Sequence, residues 1–102
     1  MEFKHNWEFE TEEEMTDMIS GGVKKLHDLI VDEAIANLKT RTKSIPVVSI
    51  HTRDNGTIYD IMIERDEIIE TLEQNLESME YFEDYERCQQ IVDAISYLKQ
   101  NQ

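Results

Sequence analysis

Residues 46–63 decide the fold, and they read PVVSIHTR, DNGT and IYDIMI in succession. The outer two segments are rich in β-branched residues, and Asn55-Gly56 between them is the preferred pair for a two-residue type I′ turn. That turn predicts a β-hairpin with one fixed register. One face then pairs Thr52 with Tyr59, Ile50 with Ile61 and Val48 with Ile63, and the other pairs His51 with Asp60, Ser49 with Met62 and Val47 with Glu64.

The residues before this hairpin predict a strand and a broken helix. Residues 2–10 alternate, with Phe3, His5, Trp7 and Phe9 on one side, which is typical of a half-buried strand. Thr11 and Glu14 have the spacing of a capping box, so a helix should begin there. Ser20-Gly21-Gly22 interrupts the helical apolar pattern, and we expect Ser20 to cap a second helix of about 20 residues. Lys39, Arg41 and Lys43 would close that helix at the negative end of its dipole.

The last third of the chain predicts two helices. Apolar residues recur at steps of three and four in two series, Ile69, Leu72, Leu76 and Met79, then Tyr85, Cys88, Ile91, Val92, Ile95 and Leu98. A connection at residues 80–83 makes them an antiparallel pair. The predicted fold is therefore α+β, a small antiparallel sheet of the N-terminal strand and the hairpin, packed on a long or kinked helix. We expect one domain over residues 1–102, with the helical hairpin from residue 66 onward.

Composition restricts the classes of function. The 102 residues carry 23 acidic and 10 basic side chains, a net charge of −13, which argues against direct binding to nucleic acid or to an anionic membrane. No apolar run approaches the roughly 20 residues of a membrane span, and the first ten residues lack a signal-peptide core. Cys88 is the only cysteine. A reducing, cytoplasmic setting is the expectation.

Residues 68–99 resemble a known interaction motif. Leu72 and Leu76 open the pattern, and it continues with Asp84-Tyr85-Glu86, Cys88, Ile91, Asp93, Ile95 and Leu98. This order resembles the UVR-type helical hairpin at the C-terminus of the bacterial excision-repair proteins UvrB and UvrC. Gln89 and Val92 depart from the pattern, Val92 standing where the family has Arg. The resemblance implies an element that joins proteins to one another without catalysis.

No set of residues predicts catalysis, a metal site or a cofactor. His5, His27 and His51 have no partner at metal-ligand spacing. Ser49 and His51 lie roughly 6 to 7 Å apart along one strand, so a cross-strand ion pair of His51 with Asp60 is expected instead of a Ser/His/Asp site. Gly21-Gly22 before Lys24 lacks the spacing of a phosphate-binding loop. Cys88 is expected to be a small buried apolar residue, with a redox role as the alternative.

Carboxylates give the clearest candidate for function. Asp66, Glu70, Glu73, Glu77 and Glu80, at steps of four and three, form what we call the acidic stripe. With Tyr85 and Glu86 it makes a candidate surface for a larger protein with a basic or apolar groove. We expect a non-enzymatic interaction or adaptor protein, with a DNA-mimicking inhibitor of a nucleic-acid enzyme, possibly phage-encoded, and a purely solvated helix face as alternatives. A homodimer through an open sheet edge is also compatible with the sequence.

Overall fold

The computed structural model describes residues 2–21 and 23–101. In chain order the elements are β1 (Asn6–Phe9), α1 (Glu12–Ser20), α2 (Lys24–Ala36), β2 (Ser44–Thr52), β3 (Ile58–Glu64), a 3₁₀ turn (Arg65–Glu67), α3 (Ile68–Tyr81) and α4 (Tyr85–Gln100). The α+β class is confirmed, and α3 and α4 pack as the expected helical hairpin. Their connection lies at residues 82–84, slightly later than predicted.

The sheet is mixed, with strand order β1-β2-β3. β3 is antiparallel to β2, but β1 runs parallel to β2 with Asn6 opposite Ser49, so the prediction of an all-antiparallel sheet was wrong. The reason is the connection: the chain crosses from the end of β1 through α1 and α2 before it enters β2, and such a crossover joins parallel strands. β1 is also shorter than predicted, because pairing with β2 is confined to four residues.

The hairpin forms with a different turn and a register shifted by two residues. Tyr59 lies opposite Ile50 instead of Thr52, and Ile61 lies opposite Val48 instead of Ile50. A type I′ turn needs positive φ at both central residues, yet only Gly56 of the pair has it, at 65°. The side chain of Asn55 accepts hydrogen bonds from the Thr57 N–H, at 3.1 Å, and from the Thr52 hydroxyl. These bonds stabilise a connection between β2 and β3 that is longer than the two-residue turn predicted from the sequence.

β1 explains why the connection is longer. The Arg53 N–H donates to the Phe9 carbonyl at 2.9 Å, and the Asp54 N–H donates to the Glu10 carbonyl at 3.0 Å. These two residues therefore continue the hydrogen bonding of β2 with the first segment of the chain instead of closing a tight turn. The sequence pattern of the hairpin alone therefore cannot predict this hydrogen bonding with the first segment of the chain.

An irregularity in the β2–β3 pairing between Pro46 and Val48 changes which residues of β2 face the core. Beyond it Ile63 lies opposite Ile45 instead of Val48. Val47 was predicted on the outer face with Glu64, but it is fully buried, as is Val48. An extra residue in one strand produces this effect, because it reverses the alternation of side chains from that point on. Pro46, which has no N–H to donate, lies at the start of the irregularity.

α1 begins where the sequence predicts, whereas α2 begins later and ends earlier than expected. Thr11 caps α1 as predicted, its hydroxyl accepting from the Glu14 N–H at 3.0 Å. Ser20 is the last residue of α1 and does not cap α2, whose N-cap position is Val23. Gly22, part of the predicted break, lies outside the described residues. α2 has 13 residues and ends at Ala36, so the basic residues 39–43 follow the helix instead of closing it.

One hydrophobic cluster joins the sheet to all four helices. Its fully or nearly fully buried members are Phe9, Met15, Val31, Ala34, Ile45, Val47, Val48, Ile50, Ile63, Ile68, Leu72, Met79, Ile91 and Ala94. β2 supplies four of them, which is expected of a central strand with apolar packing along its length. None of the described helices is long and apolar enough to cross a membrane.

The turn structure predicts the effect of replacing Asn55. In a type I′ turn Asn55→Gly would be neutral or stabilising, since glycine adopts positive φ without strain. In this structure the substitution removes three side-chain hydrogen bonds, the two that Asn55 accepts and the one it donates to Glu12 at 2.7 Å, and adds freedom to the unfolded chain. We expect the free energy of unfolding to fall by about 1 to 2 kcal/mol. Urea titration at pH 7, followed by circular dichroism, measures this free energy. An unchanged or higher stability would contradict the longer connection and favour a type I′ turn.

Candidate functional site

The acidic stripe is exposed along its whole length. Glu70, Glu73, Glu77 and Glu80 lie on α3, and Asp66 precedes them in the 3₁₀ turn. All five side chains are exposed to solvent. Steps of three and four residues place the four glutamates on one side of the helix, as the sequence predicted. Within the described part of the chain, none of the five makes an ion pair or a side-chain hydrogen bond.

The stripe faces outward because the other side of α3 is held by the core. Ile68, Leu72 and Met79 are buried, and so is Asn75, whose amide donates to the Thr71 carbonyl at 2.8 Å. Residues 66–86 contain nine acidic side chains and no lysine, arginine or histidine. No basic neighbour along the helix can therefore pair with the stripe, and its like charges repel one another.

Tyr85 and Glu86 lie apart from the stripe, in the first turn of α4. Both are exposed, Tyr85 by 68% of its area. The hairpin turn brings them to the same end of the molecule as Glu80 but on a different helix. A more exposed aromatic residue was missed: Tyr81, the last residue of α3, is 83% exposed. Its position four residues after Glu77 is the signal that could have found it.

Two cations join α2 to the start of α4. Lys24 contacts Asp28 at 3.3 Å and Asp84 at 2.8 Å. Arg87 contacts Asp32 at 2.6 Å and Asp28 at 3.5 Å. All five residues except Asp32 are partly buried, so these pairs are less screened by salt than fully exposed ones. This network fixes the helical hairpin against α2, on residues separate from the acidic stripe.

Asp84 has two roles in this network. It is the N-cap of α4, where its carboxylate accepts from the Arg87 N–H at 3.1 Å. The Lys24 ammonium first, and the Arg87 N–H second, lower the pKa of Asp84. The hydrogen bond to Asp84 raises the pKa of Lys24, and that to Asp32 raises the pKa of Arg87. All these shifts favour the charged forms, so the network is ionised at neutral pH.

Other cations are also occupied away from α3. Arg53 contacts Glu8 and Glu10, at 2.7 Å each, across the sheet edge. Lys25 lies over the Trp7 ring at 5.3 Å, and Lys39 over the Tyr97 ring at 5.9 Å. The Arg65 guanidinium donates to the carbonyl of Thr42 and the hydroxyl of Thr40. None of these cations pairs with a carboxylate of the acidic stripe.

The polar groups on the open face of the sheet differ from the prediction. Asp60 does not pair with His51; it lies opposite Ser49 because of the register shift, and the Ser49 hydroxyl donates to it at 2.7 Å. Ser49 Oγ and His51 Nε2 are 3.3 Å apart, although their backbones are two residues apart on one strand. A long imidazole side chain can reach back over that distance. The aspartate contacts the serine and not the histidine, which is not the order of a Ser/His/Asp triad.

The remaining reactive side chains have structural partners. His27 lies 2.9 Å from the buried Asn75 amide oxygen, and His5 lies 4.0 Å from Glu33. Cys88 is half-buried against the core, and desolvation, with Glu80 and Asp84 nearby, raises the pKa of its thiol. A raised pKa disfavours the reactive thiolate. Among residues 2–21 and 23–101, no three or more His, Cys, Asp or Glu side chains are grouped to hold a metal ion.

An open groove of about 560 Å³ adjoins the acidic stripe. It lies between the end of α1, the side of α2 and the C-terminal half of α3. His27, Gln74, Glu77, Ser78, Tyr81 and Phe82 line most of it. The ring of Phe82 lies 5.4 Å from that of Tyr81, edge to face, and 6.1 Å from that of His27. The groove therefore combines aromatic rings with one member of the stripe, Glu77.

Comparison with known proteins identifies no relative. No protein-family profile, no curated protein and no solved structure matches this chain. The resemblance of residues 68–99 to a UVR-type hairpin stays a prediction based on the residues quoted above.

The lowered pKa of Asp84 predicts how stability changes with pH. A carboxyl group whose pKa is depressed on folding stabilises the protein above its unfolded pKa, and this contribution is lost as the pH falls through the folded value. Asp84→Asn keeps a capping oxygen but removes the charge. We expect it to lower the urea midpoint at pH 5 to 7, and the gap to wild type to close below about pH 4.

Glu73→Gln is the matched control for that experiment, because it removes a carboxylate without an ion-pair partner. It should leave the urea midpoint unchanged or raise it slightly across the same pH range. If Asp84→Asn and Glu73→Gln behave alike at pH 7, the network does not stabilise the fold.

Proposed function

We propose that this protein is an interaction protein that binds a basic surface of a larger protein through the acidic stripe on the outer side of its helical hairpin. The observation that carries the proposal is the contrast between the stripe and the cations. Lys24, Arg53 and Arg87 all have carboxylate partners, whereas the five carboxylates of the stripe have none in the described chain. A complementary surface would remove the repulsion that the stripe imposes on α3.

The packing of the hairpin favours its charged side over its apolar side as the contact surface. Leu72, Met79 and Ile91 are fully buried within the protein's own core. Leu76 and Ile95, the remaining apolar residues of the inner side, are partly buried against the same cluster. Docking through these residues would require the hairpin to leave the core. We therefore infer that an adaptor role, as the UVR resemblance implies, would use the outer face.

A regular array of charge also supports a second candidate, the mimicry of nucleic acid. Successive stripe residues are separated by rises of roughly 4.5 to 6 Å along the helix, at 1.5 Å per residue. This is close to the phosphate spacing along a nucleic-acid strand, and no cation interrupts the series from residue 66 to residue 86. In this case the partner is a nucleic-acid enzyme whose DNA-binding groove accepts α3.

Neutralising the stripe tests the proposed function. The variant Glu70→Gln/Glu73→Gln/Glu80→Gln removes three exposed carboxylates that have no ion-pair partner among the described residues. Tagged protein is used to capture partners from a lysate at about 50 mM and 300 mM salt, with identification by mass spectrometry. We expect this variant to retain less than a tenth of the partner that wild type captures, and the higher salt to reduce wild-type capture steeply.

The control is Glu13→Gln/Glu14→Gln/Asp17→Asn, which removes the same charge from the exposed surface of α1. It should capture the partner within twofold of wild type. Equal loss in both variants would show that net charge alone governs binding, and equal capture by all three proteins would refute the role of the stripe. Competition by duplex DNA would select mimicry, and its absence would select a general protein contact.

A further inference from the structure

We propose that the groove beside the acidic stripe receives one arginine side chain of the partner protein. This inference rests on the proposed function and adds the chemistry of the central contact. The groove is about 560 Å³ and open to solvent, which leaves room for a guanidinium and the backbone that carries it. Its lining contains the three features that attract a cation, namely a carboxylate, aromatic rings and helix C-termini.

The carboxylate is that of Glu77. It belongs to the stripe, it lines the groove, and it has no ion pair or hydrogen bond among the described side chains. Gln74, one turn before it, adds an amide oxygen at the same wall. A guanidinium carries five N–H donors in a plane, so it can satisfy a carboxylate and an amide oxygen together.

The aromatic rings are those of Tyr81 and Phe82. Tyr81 is 83% exposed, and its ring packs edge to face on that of Phe82, with 5.4 Å between the two ring centroids. A cation over the face of such a ring gains a cation–π attraction, and tyrosine is enriched among the residues that dominate interface energies. Tyr81, exposed beside the groove, is therefore suited to be the main aromatic contact of the partner's arginine.

Two helix C-termini end at the groove. α1 ends at Ser20 with Gly21 as its C-cap, and α3 ends at Tyr81 with Phe82 as its C-cap. The C-terminal end of a helix carries partial negative charge and is commonly accompanied by a basic residue, yet neither of these helices has one in its last turn. Both dipoles therefore favour a cation supplied from outside.

The lining favours an arginine side chain over a metal ion. Glu77 and His27 are the only His, Cys, Asp or Glu side chains among the described residues that line the groove, fewer than the three or four protein ligands of a zinc site. Lysine would use the carboxylate and the rings, but a guanidinium also stacks on an aromatic ring and bonds in its plane. Arginine is therefore the occupant to which the geometry points.

A titration followed by NMR tests this inference on the full chain. The probes are three blocked tripeptides, Gly-Arg-Gly, Gly-Lys-Gly and Gly-citrulline-Gly, the last being a neutral analogue of the first. We expect Gly-Arg-Gly at low salt to shift the amide signals of His27, Tyr81 and Phe82 saturably. Gly-citrulline-Gly should bind at least tenfold more weakly than Gly-Arg-Gly. The affinity of Gly-Lys-Gly should lie between those of the other two peptides.

Matched substitutions locate the contact. Tyr81→Ala and Glu77→Gln should each weaken Gly-Arg-Gly at least fivefold. Glu13→Gln removes an exposed carboxylate of α1, outside both the groove and the acidic stripe, and it should change affinity less than twofold. Each variant's own amide spectrum reports whether its fold is intact.

Three results would overturn the inference. These are shifts spread evenly along α3, equal effects of Glu13→Gln and Glu77→Gln, or tighter binding of the lysine than of the arginine peptide. None of them affects the capture experiment above, whose variant leaves Glu77 and Tyr81 in place. Failure of the groove and failure of the acidic stripe are therefore separate outcomes.

Discussion

The burial of β2 is the interaction on which the rest of the structure depends. This strand pairs with β1 on one side and β3 on the other, and its Ile45, Val47, Val48 and Ile50 are fully buried. Burying an aliphatic side chain of this size contributes roughly 1.5 to 3 kcal/mol, so the four residues form a large share of the core. α2 covers the strand, and α3 packs in turn against α2, α4 and β3, which determines which side of α3 faces outward.

Charge is the second constraint, and it explains the character of the exposed surface. With 10 basic residues against 23 acidic ones, most carboxylates have no cation available. The partly buried pairs of Lys24 and Arg87 hold the helical hairpin against α2, where they are least screened. The charged side chains on the outer side of α3 are then carboxylates only. A surface of this kind destabilises its own helix slightly and favours association with a basic partner.

Local patterns in the sequence predicted the elements well and their pairing less well. The hairpin, the Thr11 cap, the two C-terminal helices and the outward acidic stripe all follow from spacing within one segment. The parallel pairing of β1, the register of β3 and the irregularity near Pro46 depend on contacts between segments that lie far apart. Asn55-Gly56 shows the difference: its preference for a tight turn is overridden because Arg53 and Asp54 hydrogen-bond to β1.

The candidate site shows the same division. Glu70, Glu73, Glu77 and Glu80 are predictable from their period, since a helix repeats every 3.6 residues. The groove is not, because it forms where the end of α1, the side of α2 and the end of α3 meet. Tyr81 lies between the apolar and the polar side of α3. At such a position the periodicity of the sequence does not distinguish a buried from an exposed aromatic residue. Its exposure depends on the position of α1 and α2.

The central claim is that the acidic stripe serves a partner and not the fold. The most direct test is the free energy of unfolding of Glu70→Gln/Glu73→Gln/Glu80→Gln, measured by urea titration at about 10 mM and 500 mM salt. Relief of the four like-charge pairs along the stripe should stabilise the variant by about 1 kcal/mol at low salt, and the gain should shrink at high salt. A variant less stable than wild type at low salt would contradict the claim, because the stripe would then be part of what holds the protein together.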